Sequence, residues 1–235
     1  MQQRGWPQVV AVPTGAGKTM TLLLAVFRMA LEPRCAHRRI VYVVNRRLVV
    51  DQALELAMDI KARLEGALGE DSCLGRAARR LAALGGGVPL EVVRLRGGVP
   101  KPSPSLTDPA RPAVILATVD MAGSRLLHRG YGVSRSFLPI EAALFGVDAL
   151  FLLDEAHLET PFWHTLRQVM EATKGSLRPG LVAVALTATP QALQGQGRVF
   201  TLDQHDQDHP MLRKRLRASK RVQLIKVEEI CPKPW

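Results

Sequence analysis

Val9-Val10-Ala11-Val12-Pro13-Thr14-Gly15-Ala16-Gly17-Lys18-Thr19 is a short apolar run that breaks into a glycine-rich turn ending in Lys-Thr. The order of residue types reads as a strand, a phosphate-cradling loop and the start of a helix. Gly15 and Gly17 have no Cβ, so the backbone can curl tightly and aim successive N–H groups at phosphate oxygens where the next helix begins. In such a loop the lysine, here Lys18, reaches the β- and γ-phosphates, and the following hydroxyl, Thr19, holds Mg²⁺. Thr14, Gly15, Ala16, Gly17, Lys18 and Thr19 are therefore the candidate nucleotide-binding residues, with ATP and Mg²⁺ the expected ligands. One position departs from the G-x-x-x-x-G-K-[ST] consensus: Val12 stands where it has glycine. The apolar segment from Met20 to Ala30 supplies the helix that the motif requires, and Pro33 ends it.

Further along, apolar runs alternate with helical patterns. Strands are predicted over Arg39–Asn45, Leu90–Leu95, Ala113–Ala117, Ala149–Leu153 and Leu181–Leu186, with a further strand over Val222–Val227. Helices are predicted over Leu48–Leu68, from a Ser72 cap to Leu84 before Gly85-Gly86-Gly87, from Thr118 to His128, over Phe162–Ala172 behind Pro161, and over Met211–Ala218. Val99 to Pro112 holds five prolines and reads as a loop. Continuous apolar strands separated by helices imply an α/β fold whose mostly parallel sheet is covered on both faces. Ligands of such sheets sit at the carboxyl ends of the strands. The unusual residues fall at those ends.

Composition narrows the class. At 235 residues and 47% hydrophobic, the chain is long enough to bury a sizeable core and too apolar for disorder. Its net charge of +11 favours a polyanionic partner, nucleic acid before membrane. Cys35, Cys73 and Cys231 are odd in number and widely spaced, so they suggest neither a disulfide framework nor a metal site, and a reducing compartment is expected. No apolar run reaches the roughly 18 residues of a membrane span. With only a dozen residues before the loop, a signal peptide has no room, and a cytoplasmic location is expected. The same short lead leaves no place for an adenine-reading segment, so an N-terminally incomplete domain is expected.

Two carboxylates, Asp154 and Glu155, follow the apolar strand Ala149–Leu153 in the order Asp-Glu-Ala-His. Asp154 is the expected Mg²⁺ ligand beside Thr19. Glu155 can orient and deprotonate the water that attacks the γ-phosphate. Thr187 and Thr189 end the next apolar strand, and their hydroxyls can hydrogen-bond His157 and the acidic pair, coupling the γ-phosphate to neighbouring elements. Asn45, Arg46, Arg47, Arg96 and Arg125 lie on the expected ligand side, where with the N–H groups of Gly97, Gly98 and Thr118 they can bind a nucleic-acid backbone. The run from Arg213 to Arg221 reads as a solvated basic helix face. His205-Asp206 has the pairing found in HD-type nucleases, but six histidines do not supply the further ligands that such a site needs.

The ordered set PTGAGKT, VNRRLVVDQ, RGG, ATVDM, DEAH and LTATP resembles the first RecA-like domain of superfamily 2 helicases, a P-loop three-layer sandwich. The connecting text, VYVVNRRLVVDQA, RPAVILATVDMAGSRLLHRGYGVSR and LFLLDEAHLETPF, looks like the CRISPR-associated helicase of type I interference, most of all its type I-U branch. The likeness covers nearly the whole chain. It implies phosphate binding at Gly15, Gly17, Lys18 and Thr19, catalysis by Lys18, Asp154, Glu155 and His157, and coupling through Thr187 and Thr189. It further implies single-stranded DNA tracked by Asn45, Arg46, Arg47, Arg96, Gly97, Gly98 and Thr118, in antiviral defence. Residues 1–202 would be the ATP-binding domain, and residues 203–235 a basic linker toward a second RecA-like domain. That second domain, with its arginine finger, and an HD nuclease are expected on other sequence, and a CRISPR RNA-guided surveillance complex is the expected recruiter. Because a finger contributes on the order of 10³ or more in rate, the chain alone is expected to hydrolyse ATP slowly. Two other readings stay open: the motor of a restriction or repair translocase, and a non-catalytic nucleotide- or DNA-binding module left by truncation.

Overall fold

The computed structural model describes residues 5–45, 47–95, 108–131, 133–175, 180–189 and 197–217. Seven strands form one sheet: β1 (Val9–Ala11), β2 (Arg39–Val44), β3 (Glu91–Leu95), β4 (Ala113–Thr118), β5 (Ala149–Leu153), β6 (Val182–Thr187) and β7 (Val199–Thr201). Their order is β3-β4-β2-β5-β6-β1-β7, and every neighbouring pair is parallel. The connecting helices are α1 (Met20–Leu31), α2 (Arg47–Gly66), α3 (Cys73–Leu84), α4 (Val119–Leu126), α5 (Leu138–Gly146) and α6 (Thr160–Ala172), and two short ones follow, α7 (Gln204–Asp208) and α8 (Pro210–Leu216).

Why the central strands are continuous apolar runs follows from the layers. Side chains alternate across a strand, so a sheet covered on both faces needs apolar residues at both parities. Val10, Ile40, Tyr42, Leu152 and Leu186 pack on one face against Leu22 and Val26 of α1, Ala57 of α2 and Leu81 of α3. Val9, Val41, Val43, Phe151 and Leu153 pack on the other against Met121 of α4, Phe145 of α5, and Trp163 and Leu166 of α6. The result is a three-layer α/β sandwich. A one-residue slip of β2 would exchange its two sets of side chains, and each fully buried aliphatic contributes about 1.5–3 kcal/mol, so the register is firmly set.

Local signals place the helix ends. The Ser72 hydroxyl accepts from the Gly75 N–H at 3.0 Å, and Gly85 terminates α3. Such a cap stabilises a helix by about 1 kcal/mol. Pro161 sits in the first turn of α6, where a missing N–H costs nothing. Three elements escaped the sequence reading: α5, β7 and α7. The strand over Val222–Val227, most of the 99–112 loop and Cys231 lie outside the described residues. No helix among the described residues is long and apolar enough to cross a membrane.

Candidate functional site

The glycine-rich turn stands at the carboxyl end of β1, between β6 and β7. Val12 explains its departure from the consensus. Its N–H donates to the Thr187 carbonyl at 3.1 Å, extending the β1–β6 pairing, and its side chain is buried under α1. A residue used as strand and core gains from being valine. The turn proper follows, with the Ala16 N–H donating to the Pro13 carbonyl at 3.1 Å. Gly15 and Gly17 have φ of 82° and 97°, a left-handed region that residues with a Cβ avoid.

The entrance to α1 is a tight turn, with Met20, Thr21 and Leu22 N–H groups bonded three residues back at 2.9 to 3.1 Å. Its first turn holds no acidic residue, and the Thr19 side chain makes no cap bond. The positive end of the helix dipole is thus left for an outside anion. Lys18 is 9% exposed, and its ammonium lies 2.8 Å from Glu155 Oε1. That contact is one of charge: among the described residues the ammonium has no aligned hydrogen bond. Its donors remain to be satisfied by a ligand, as phosphate oxygens would do.

At the end of β5, the Asp154 N–H continues the ladder to the Val43 carbonyl at 2.9 Å. Both carboxylate oxygens of Asp154 are held: the Glu155 N–H donates to Oδ1 at 2.9 Å, and the Tyr42 hydroxyl donates to Oδ2 at 2.9 Å. Burial pushes the Asp154 pKa up, and the Tyr42 bond works against that shift. Hard oxygens of this kind suit Mg²⁺, which takes one or two protein groups and fills its remaining positions with water and phosphate. Among the described residues no cluster of three or more His, Cys, Asp or Glu could hold a metal by itself.

Glu155 has φ of 47°, unusual for a residue with a long side chain. A backbone of this kind costs about 1–3 kcal/mol and occurs where function requires it. Here it turns the carboxylate toward Lys18. His157 Nδ1 lies 3.1 Å from the Thr187 hydroxyl and 3.4 Å from Glu155 Oε2. Fully buried Thr187 also accepts from the Thr189 N–H at 3.0 Å, with the two hydroxyls 3.4 Å apart. Lys18, Glu155, His157 and Thr187 thus form an unbroken chain from the phosphate loop to the end of β6.

The residues expected to meet nucleic acid divide. Asn45 is exposed at the end of β2 and donates its side-chain amide to the Glu159 carboxylate, just beyond the Asp-Glu-Ala-His turn. Thr118 ends β4 on the same edge. Arg46, Arg96, Gly97 and Gly98 lie outside the described residues, as does the Arg47 side chain, although Arg47 opens α2. Arg125 is a correction. It is 1% exposed in the last turn of α4, and its Nε lies 3.1 Å from Glu141 Oε2 on α5. It ties two helices together and cannot reach a nucleic-acid backbone. The expectation failed because α5 was not foreseen, and with it the carboxylate that takes this arginine inward.

Two residues escaped the sequence reading altogether. Tyr42 looked like one more apolar member of a buried strand. Arg215 of α8 lay in a run assigned to solvent, yet its Nη1 stands 4.0 Å from where a Cβ on Gly17 would lie. Asp206 is occupied at the start of α7, where it and Asp203 cap each other's N–H groups.

A family model described as "Type III restriction enzyme, res subunit" matches residues 2–192. No curated protein matches the chain.

Proposed function

The chain belongs to the type III restriction enzyme res subunit family of helicase-type ATP-binding domains, and on that premise we propose that it drives movement along single-stranded DNA. The observation that carries this reading is the chain of contacts Lys18–Glu155–His157–Thr187. It links a phosphate loop to the end of a neighbouring strand through the carboxylate suited to activating water.

The residues divide the work. N–H groups of the Thr14–Thr19 loop and the Lys18 ammonium bind the β- and γ-phosphates. Arriving phosphates compete with Glu155 for Lys18, and the released carboxylate takes a proton from the water attacking the γ-phosphate. Thr19 and Asp154 would hold Mg²⁺, which would supply positive charge beside the phosphate oxygens, and ADP is the leaving group. His157 and Thr187 carry the displacement of Glu155 to the strand ends. A second RecA-like lobe with an arginine finger would complete the site, and closing and reopening of the two lobes would advance the strand. Residues 1–202 form the motor domain in this reading, and residues 203–235 lead toward that lobe.

The finer proposal is a CRISPR-associated motor acting with an HD nuclease at targets marked by an RNA-guided surveillance complex. The stretches around Asn45, Thr118 and Asp154 support it through their resemblance to that helicase family. The matched family description supports a second reading, the motor of a restriction-type translocase. Labelled-ATP titration tests the shared core: Lys18→Ala should weaken binding roughly 10- to 100-fold, as expected for losing hydrogen bonds to a charged group. Equal affinity in both proteins would remove the phosphate-loop assignment. Stimulation by target DNA opened by a guide complex, with none by intact duplex, would favour the CRISPR reading. The reverse pattern would favour the restriction one.

A further inference from the structure

Tyr42 belongs to a strand whose other side chains are purely structural. Its backbone pairs with Leu152 of β5, so Tyr42, Leu152 and, two residues on, Asp154 share one face of the sheet. The tyrosine therefore reaches diagonally along the neighbouring strand, past Leu152, to the carboxylate beyond its end. Its ring is 1% exposed among the apolar residues under α1 and α2, and its hydroxyl meets Asp154 Oδ2 at 2.9 Å. A buried hydroxyl has one proton to give, and here it goes to a carboxylate suited to hold Mg²⁺. Phenylalanine would fill the same core space. What the oxygen adds is a fixed position for the carboxylate after β5, set from the neighbouring strand β2.

We infer that Tyr42 is a positioning residue for the metal: its hydroxyl holds Oδ2 of Asp154, a candidate Mg²⁺ ligand, in place before the ion arrives. The inference rests on the phosphate-site reading. Partners that orient a metal's ligands typically contribute about 10- to 100-fold to its affinity. Three residues after Tyr42, β2 gives way to Asn45, whose amide is bound to Glu159. The strand is thus attached to the segment after β5 at two points.

The test uses Tyr42→Phe in the whole chain, with a fluorescent ATP analogue titrated in EDTA and over a range of Mg²⁺ concentrations. Affinity in EDTA should match the wild type, while the Mg²⁺ concentration giving half of the tightening should rise about 10-fold. A merely structural tyrosine would shift the melting temperature and leave that Mg²⁺ midpoint in place, which would overturn the inference. The chain has only two tyrosines, Tyr42 and Tyr131, so a carbon-13 label at Cζ gives two resonances and decides the matter even where the variant fails to fold. In the nucleotide-loaded wild type the buried tyrosine's signal should move when Mg²⁺ is added; a fixed signal while Mg²⁺ tightens binding would overturn the inference. The two readings fail separately. Equal binding by wild type and Lys18→Ala, or no binding by the wild type, defeats the phosphate site itself. A clear Lys18 effect with an unchanged Mg²⁺ midpoint in Tyr42→Phe defeats only the role of Tyr42.

Discussion

The two ends of the sheet both bury charge, and they use it in opposite ways. At the amino ends, Arg39 is 5% exposed and its guanidinium is fully engaged. It donates to the carbonyls of Leu144 at 2.8 Å, Pro109 at 2.7 Å and Val147 at 2.7 Å, with Asp148 at 3.9 Å. The Asp148 carboxylate accepts from the Arg38 N–H at 3.1 Å, and His37 bonds to the Gly180 carbonyl at 3.1 Å. At the carboxyl ends, Lys18 has a charged neighbour and, among the described residues, no aligned bond, and α1 begins with no acid in its first turn. One end has spent its buried charges, Arg39 and Asp148, on the protein. The other keeps its own for a ligand.

A hollow of about 710 Å³ also lies at the amino end, lined by Gln8, Trp163, Arg167, Lys174 and Leu181. The phosphate loop instead lies open, with Thr14 and Gly15 exposed. Size of cavity is therefore a poor guide here, and unsatisfied charge is a better one. An open shelf fits the proposal that a second lobe would supply its other wall.

Substitutions at the two ends should separate turnover from stability. The largest effect belongs to Glu155→Gln in a motor completed by its second lobe. Phosphate release at saturating ATP and single-stranded DNA should fall on the order of 10²- to 10⁴-fold, while the urea midpoint barely moves. Undiminished release would assign water activation elsewhere. Next is Arg39→Met, which leaves three carbonyls and Asp148 without their partner. Urea denaturation should show a loss of about 3–5 kcal/mol, with nucleotide affinity unchanged in the folded fraction. A loss under about 1 kcal/mol would mean that the amino-end network is no tighter than a surface pair, and the contrast would dissolve. Smallest is Arg215→Ala, which removes an exposed cation beside Gly17. Since screened surface charges contribute up to about 1 kcal/mol, ATP affinity should weaken by at most about 5-fold, and less in high salt. An effect as large as that of Lys18→Ala would make Arg215 part of the phosphate site.

Legibility followed the same division. The central strands were visible because both faces of the sheet are apolar, leaving uninterrupted runs at Arg39–Val44, Ala113–Thr118 and Ala149–Leu153. The phosphate loop and the Asp154–Glu155 pair were visible because their chemistry is local in sequence. Helix α5 was not, since Leu-Pro-Ile-Glu-Ala-Ala-Leu-Phe-Gly is apolar nearly all round and shows no helical stripe. Strand β7 covers only Val199–Thr201, too short for any period. Arg125 was misplaced for want of α5, and Tyr42 was hidden because its role depends on strand register, which no local pattern carries. What could not be read was pairing across distance.

The left-handed backbone of Glu155 also bears on how this protein could decay. Glycine or asparagine would occupy that conformation with less strain, but a change that deletes the carboxylate leaves the buried Lys18 ammonium without its charged partner. Bound phosphate would supply that partner instead. Under the proposed motor role, such a variant should lose turnover, fold less firmly when empty, and gain more stability from bound nucleotide than the wild type does.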